Sequence, residues 1–190
     1  MNLQDSKTEL RAKIRAALEK ISPAVRAVES IELCARLKAQ MPSAHTILFF
    51  APLPDELDVW PLLEESLAGG KIAALPFFDR DKNIYSARRI KNPADEMVAG
   101  KFGVREPASS CAEIPLDRFN LILVPGLVFD LGGHRLGRGR GFYDRLLQMV
   151  SGIKCGVAYD FQLLENIPTE PHDAKVDFVL TPARCVRRKI

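Results

Sequence analysis

Residues 119–150 read "FNLILVPGLVFDLGGHRLGRGRGFYDRLLQMV". The run over about 120–124 is short, apolar and rich in β-formers, whereas Phe142, Leu146, Met149 and Val150 recur at helical spacing. A buried strand therefore leads into an amphipathic helix. Between them, Pro125 to Gly141 spans 17 residues, where strand-to-helix connections usually take about two to six. The excess predicts a functional loop.

The flanking chain alternates in the same way. "HTILFFA" (45–51), "KIAALPF" (71–77), "NIYSARRI" (83–90), "KCGVAYD" (154–160) and "VDFVLTP" (176–182) read as strands, and "DVWPLLEESLAGG" (58–70) reads as a helix with glycine after it. Upstream, Ser6 and Glu9 form an S-x-x-E capping box, and Leu10, Ile14, Leu18 and Ile21 follow at helical spacing, which predicts a helix from about Lys7 to Ile21. Ser22 and Pro23 then suit the cap and first position of a second helix, ending near Gln40 before Pro42. Residues 91–118 carry many turn formers and little period, an irregular excursion. The order predicts an α/β fold: one domain over 1–190, a three-layer α/β/α Rossmann-like sheet, mostly parallel, with N-terminal helices. Its ligands are expected at the carboxyl ends of the strands.

Composition bounds the rest. With 190 residues, 47% of them hydrophobic, the chain can bury one substantial core. Its net charge of +3, from 27 basic against 24 acidic residues, is far below that of a nucleic-acid coat, so any basic function is local. Cys34, Cys111, Cys155 and Cys185 form no CxxC pair and the three histidines no HExxH motif, which argues against zinc and for reduced, mostly buried thiols. No apolar run is long enough to cross a membrane, and the N-terminus resembles neither a signal nor a transit peptide; a cytoplasmic protein is expected.

In the long loop, Gly132, Gly133, Gly137, Gly139 and Gly141 permit close backbone approach, while Arg135, Arg138, Arg140 and Arg145 suit oxyanions. The helix starting near Phe142 adds N–H groups and a partial positive charge. A polyphosphate site is the reading these features favour over a solvated linker. The stretch lacks the Gly-Lys-Ser/Thr ending of a Walker loop, and "GRGRGF" misses the last glycine of the dinucleotide fingerprint. Asp144 has two readings by position alone: a carboxylate for magnesium beside nucleotide phosphates, or a first-turn acid favoured by the helix dipole.

These residues also carry a resemblance. "LILVPGLVFDLGGHRLGRGRGFYDRLL", with "GKFGVREP" upstream and "GVAYDFQLLENIPTEPHDAKVDFVLTP" downstream, resembles the 5-formyltetrahydrofolate cyclo-ligase (methenyltetrahydrofolate synthetase) family over nearly the full chain. The R-L-G-R-G-x-G-[FY]-Y-D string is its most specific part; K-x-x-L-R at Lys7 to Arg11, D-E-L-D at Asp55 to Asp58 and P-H-D at Pro171 to Asp173 follow the family's order.

The resemblance implies conversion of 5-formyltetrahydrofolate and ATP to 5,10-methenyltetrahydrofolate, ADP and phosphate, with Mg2+. It sends Lys7, Thr8, Glu9, Leu10 and Arg11, together with Arg135, Leu136, Gly137, Arg138, Gly139, Arg140, Gly141, Phe142 and Tyr143, to ATP. Residues 138–142 also approach the reacting formyl group, with Arg138 and Arg140 stabilising the transferred phosphoryl charge. Ala51, Glu56, Phe102 and Gly103 are implied for the folate, and Asp144 and Asp173 for magnesium. Position alone leaves plainer alternatives open: Lys7, Arg11 and Arg15 as a solvated helix face, Glu56 as a helix-start acid, Phe102 as a buried turn residue. This chain departs from the family at Val59, often Thr, at Arg140, often Gly or Lys, and at Phe142, often Tyr. The partners implied are small molecules, with no nucleic acid and no membrane, acting on a monomer or weak homo-oligomer. Other classes remain: a nucleic-acid binder using "GRGRGF" and the terminal "RCVRRK", or a folate or nucleotide binder without turnover.

Overall fold

The computed structural model describes residues 3–40, 43–79, 81–100, 104–170 and 173–188. In chain order its elements are α1 (Leu3–Leu18), α2 (Pro23–Gln40), β1 (Thr46–Leu48), α3 (Trp60–Ala68), β2 (Ile72–Asp79), β3 (Ile84–Ile90), α4 (Pro93–Glu96), β4 (Met97–Ala99) and β5 (Arg105–Pro107). There follow β6 (Glu113–Ile114), β7 (Leu121–Pro125), β8 (Val128–Asp130), β9 (Arg135–Leu136), α5 (Phe142–Met149), β10 (Ile153–Val157), β11 (Leu163–Leu164), β12 (Phe178–Leu180) and β13 (Cys185–Arg187).

Eight strands form the central sheet in the order β13-β12-β10-β7-β1-β2-β3-β6. The middle five, β12 to β2, run parallel, while β13 pairs antiparallel with β12 at one edge and, at the other, β3 pairs antiparallel with β2 and β6 with β3. Successive strand residues face opposite sides, and the burial follows that period. Leu121 and Leu123 of β7 pack with Ile14 and Leu18 of α1, Leu33 and Leu37 of α2, and Leu62 and Leu63 of α3 in one core cluster. Ile122 and Val124 pack in the other with Leu146 and Leu147 of α5. Two helical layers thus enclose a mostly parallel sheet, as expected of the α/β/α class.

Local signals placed most elements. Helix α2 has the expected bounds, and Ser22 Oγ accepts the Val25 N–H at 3.3 Å as its cap. Helix α1 instead begins at Leu3, so Ser6 lies inside it rather than capping it, and ends at Leu18 rather than near Ile21. No Pro or Gly precedes Ser6 to stop the helix growing backwards. The long connection after β7 is not structureless either. β8 and β9 form an antiparallel hairpin within it, and β8 also pairs with β11. The excursion over 91–118 contains α4, the β4–β5 ribbon and β6. After α5 the chain turns at Gly152 (φ 101°), where a Cβ would lie 2.2 Å from the Phe119 carbonyl oxygen, so only glycine fits the turn. No described helix is long and apolar enough to cross a membrane.

Candidate active site

β1 and β7 are neighbours at the sheet centre, yet the chain continues from β1 towards β2 and from β7 towards β10. The connections therefore diverge, and the crevice at such a switch point is where open α/β sheets bind ligands. A cavity of about 950 Å³ lies there. Its walls come from the segment after β1 (Ala51, Leu53 to Glu56), the ends of β2 and β3 (Leu75, Pro76, Phe78, Tyr85), Val104 to Glu106, the segment after β7 (Pro125, Gly126, Arg135, Gly137 to Arg145), and Arg15 of α1.

Within this cavity the loop's arginines meet carboxylates. Arg138 Nη2 donates to Asp55 Oδ1 at 2.6 Å, and its Nε makes a longer contact of 3.4 Å to Glu56 Oε1. Glu56 Oε2 accepts the Leu53 N–H at 3.0 Å. Burial pushes the Glu56 carboxyl above the ordinary glutamate value, and the Leu53 N–H and the Arg138 guanidinium only partly offset it. Arg135, almost fully buried, donates from Nη2 to Asp144 Oδ1 at 2.7 Å and from Nη1 to the Pro125 carbonyl at 3.2 Å, and lies over the Tyr143 ring. Its Nε is buried without a partner among the described residues. An orphaned donor of that kind costs free energy until an acceptor arrives. Burial also drives the Tyr143 phenol strongly upward, so it stays neutral.

An aromatic wall faces these charges. Phe78, Tyr85 and Phe142 form a cluster with ring centroids 4.6 to 6.4 Å apart, and Tyr143 continues it. Arg145 is tied to this wall: its Nε donates to Tyr85 Oη at 2.7 Å and its Nη2 to the Arg140 carbonyl at 3.3 Å. The loop backbone reaches its shape through Gly139 (φ 98°) and Gly141 (φ 64°), the latter just before α5, whose first turn has no side-chain cap. From the other side α1 braces the loop, with Arg11 Nε donating to the Gly137 carbonyl at 3.0 Å and Arg15 Nη2 to that of Arg138 at 3.4 Å.

Of the candidate residues, Ala51, Glu56, Arg135, Gly137, Arg138, Gly139, Arg140, Gly141, Phe142, Tyr143 and Asp144 all line the one cavity. Among the described residues, Lys7, Thr8, Glu9, Leu10, Arg11, Leu136 and Asp173 do not. Lys7 is buried and donates to Glu170 at 2.7 Å and Asp173 at 2.8 Å; burial opposes its charge, but those two carboxylates hold it above the ordinary lysine value. Asp144 and Asp173 therefore each stand beside a cation in separate clusters. Phe102 and Gly103, with Pro171 and His172 of the P-H-D motif, lie outside the described residues. Phe78 and Tyr85 were not legible as site residues. Their only sequence signal is an aromatic on each side of the β2–β3 turn, and the strand pairing that sets Phe78 against Tyr85 appears only in the fold.

Residues 3–182 match the family model described as the 5-formyltetrahydrofolate cyclo-ligase family. The chain is 35% identical over 149 residues to the 5-formyltetrahydrofolate cyclo-ligase of Escherichia coli K12, covering 74% of this chain and 80% of that one. It is 34% identical over 189 residues to the enzyme of that name from Mycolicibacterium smegmatis, covering 94% and 95%. The solved structure of Aquifex aeolicus 5,10-methenyltetrahydrofolate synthetase superimposes with a TM-score of 0.86 at 34% identity, over 97% of this chain and 93% of that one. The chain belongs to the 5-formyltetrahydrofolate cyclo-ligase family.

Proposed function

We propose that the protein closes 5-formyltetrahydrofolate to 5,10-methenyltetrahydrofolate at the expense of ATP, releasing ADP and phosphate. The observation that carries this reading is the meeting, in one cavity at the sheet's switch point, of a buried carboxylate, an aromatic wall and the arginine-rich loop. Glu56 accepts the pterin's amino and ring N–H groups, and the aromatic cluster flanks its flat rings. Arg135, whose Nε lacks a partner among the described residues, and the loop amides take the ATP phosphates.

A formamide is a poor electrophile, and its oxygen is a poor leaving group. Attack of the formyl oxygen on the γ-phosphorus breaks the bond to ADP and turns that oxygen into a phosphate ester. The neighbouring folate nitrogen then attacks the activated carbon, phosphate leaves, the nitrogen loses its proton, and the five-membered ring is closed. Such a transfer requires positioning and charge neutralisation rather than a protein nucleophile. Arg138 and Arg140 supply cationic groups at the loop, and α1 braces the loop backbone.

Magnesium fits this donor set. Mg2+ usually takes one or two carboxylates plus substrate phosphates, and Asp144 is a cavity-lining carboxylate beside a cation suited to phosphate. Asp144 would hold the ion, which when bound would neutralise charge on the phosphates; Asp173, also implied by the resemblance, stands outside the cavity beside Lys7. Both substrates are soluble and anionic, in keeping with a cytoplasmic enzyme.

The test is direct. Purified protein mixed with 5-formyltetrahydrofolate and magnesium-ATP is expected to develop methenyl-folate absorbance, and a folded protein that forms none overturns the reading. Arg138→Ala is expected to lower turnover by about two to three orders of magnitude while keeping the fold, as removal of a charge-stabilising donor does. Near-wild-type turnover would remove Arg138 from the mechanism.

A further inference from the structure

Arg138 and Glu56 carry different duties, yet they touch, and a third side chain sits with them. The segment after β1 turns tightly at 53–56: the Glu56 N–H donates to the Leu53 carbonyl at 2.9 Å, and the Leu53 N–H returns to Glu56 Oε2 at 3.0 Å. That turn presents Asp55 and Glu56 side by side to one guanidinium. The Nε–Nη2 edge of the planar fork is thereby engaged, Nη2 by Asp55 at 2.6 Å and both nitrogens more loosely by Glu56 Oε1 at 3.4 Å, while Nη1 has no partner among the described residues.

The two contacts are unequal, and their inequality matters once folate binds. Glu56 already gives one oxygen to the Leu53 N–H, and the oxygen facing Arg138 is the one open to the pterin's donors. A pterin donor at that oxygen would compete with the long contacts from Arg138 and leave the short bond to Asp55 as the main restraint on the guanidinium.

Building on the cyclo-ligase reading, we propose that Asp55 is a positioning residue, holding the Arg138 fork so that its unengaged Nη1 edge meets the transferred phosphoryl group while Glu56 is occupied by the pterin. Screening limits what a part-exposed pair adds to stability. Its value lies in orientation, because a rigid fork constrained at one end delivers its other N–H groups in a set direction, which a lysine ammonium does not.

The test compares kinetics in two backgrounds. Asp55→Asn keeps the shape and removes the charge; it is expected to lower kcat about 10- to 100-fold, as a misplaced catalytic group does. The KM and the binding affinity for 5-formyltetrahydrofolate, which depend on Glu56, are expected to change by less than about threefold. In an Arg138→Lys background the same substitution is expected to cost less than about twofold, because there is no plane left to orient. Asp55→Glu, which keeps the carboxylate but moves it by one methylene, is expected to lie between wild type and Asp55→Asn, and serves if Asp55→Asn fails to fold. Wild-type kcat in Asp55→Asn, a loss confined to the folate KM, or an undiminished loss in the Arg138→Lys background overturns the proposal. A wild-type protein that makes no methenyl product overturns the cyclo-ligase reading itself, an outcome distinct from an active wild type indifferent to Asp55.

Discussion

Glu56 shows how a single side chain trades stability for function. Because burial raises its pKa above the ordinary 4.5, the folded chain binds this proton more tightly than the unfolded one does. Folding is therefore disfavoured by ionisation of Glu56 above its raised pKa, and that cost disappears as pH falls towards the ordinary value. In the proposed reaction folate binding runs the other way, since only the carboxylate would accept the pterin's N–H groups. Affinity for 5-formyltetrahydrofolate is expected to fall, on acidification, at a pH above that of an ordinary glutamate. Glu56→Gln is expected to weaken binding about 10- to 100-fold at neutral pH, the cost of a charged hydrogen-bond acceptor, and to flatten that acid limb. Equilibrium titrations of both proteins from neutral to mildly acid pH check it, and a normal limb in the wild type removes Glu56 from the pterin. Thermal midpoints should show Glu56→Gln no less stable. Position alone read this residue as a helix-start acid in "PLPDELDVW" and the resemblance sent it to the folate; its contact with Arg138, 82 positions away, appears only in the fold.

At the scale of elements, legibility followed locality. Helix α2 was read from Pro23 to near Gln40 because Ser22 and Pro23 open it and Pro42 follows it, all within the chain's immediate neighbourhood. The β8–β9 hairpin was read as open loop because β9 has only two residues and β8 finds its parallel partner β11 some 34 positions away, at Phe129 and Leu163. Short strands of this kind are made by tertiary pairing rather than by a pattern of their own. The α5–β10 turn is the converse, a local requirement strong enough to test. Gly152→Ala would place a methyl group against the Phe119 carbonyl in a left-handed conformation. It is expected to cost about 2 to 4 kcal/mol, the range for a non-glycine residue forced into positive φ with a clash. Urea or thermal unfolding measures this, and a loss below about 0.5 kcal/mol, the level of an ordinary surface change, would refute the turn as described.

For the whole molecule, the alternation of strands and helices was enough to predict the three layers and the sheet end that carries the site. The antiparallel edges were not predictable, since the direction of β3, β6 and β13 is set by the strand each pairs with. The cavity draws on segments from 15 to 145, so its ligands bind only the folded chain. A ligand at 100 times its Kd then stabilises by about 2.7 kcal/mol. For a domain of this size that is expected to raise the melting temperature by roughly 5 to 10 °C, with either 5-formyltetrahydrofolate or the nucleotide, and no shift with either would remove both from the cavity. One further consequence concerns assembly in time. The brace from Arg11 to Gly137 spans 126 positions, and the bonds from Lys7 to Glu170 and Asp173 span 163 and 166. These polar partners of α1 are therefore synthesised long after it, roughly 6 to 33 seconds later at usual rates of about 5 to 20 residues per second. A nascent chain can pack the apolar face of α1 on α2 and α3 well before the loop that its arginines brace has been made.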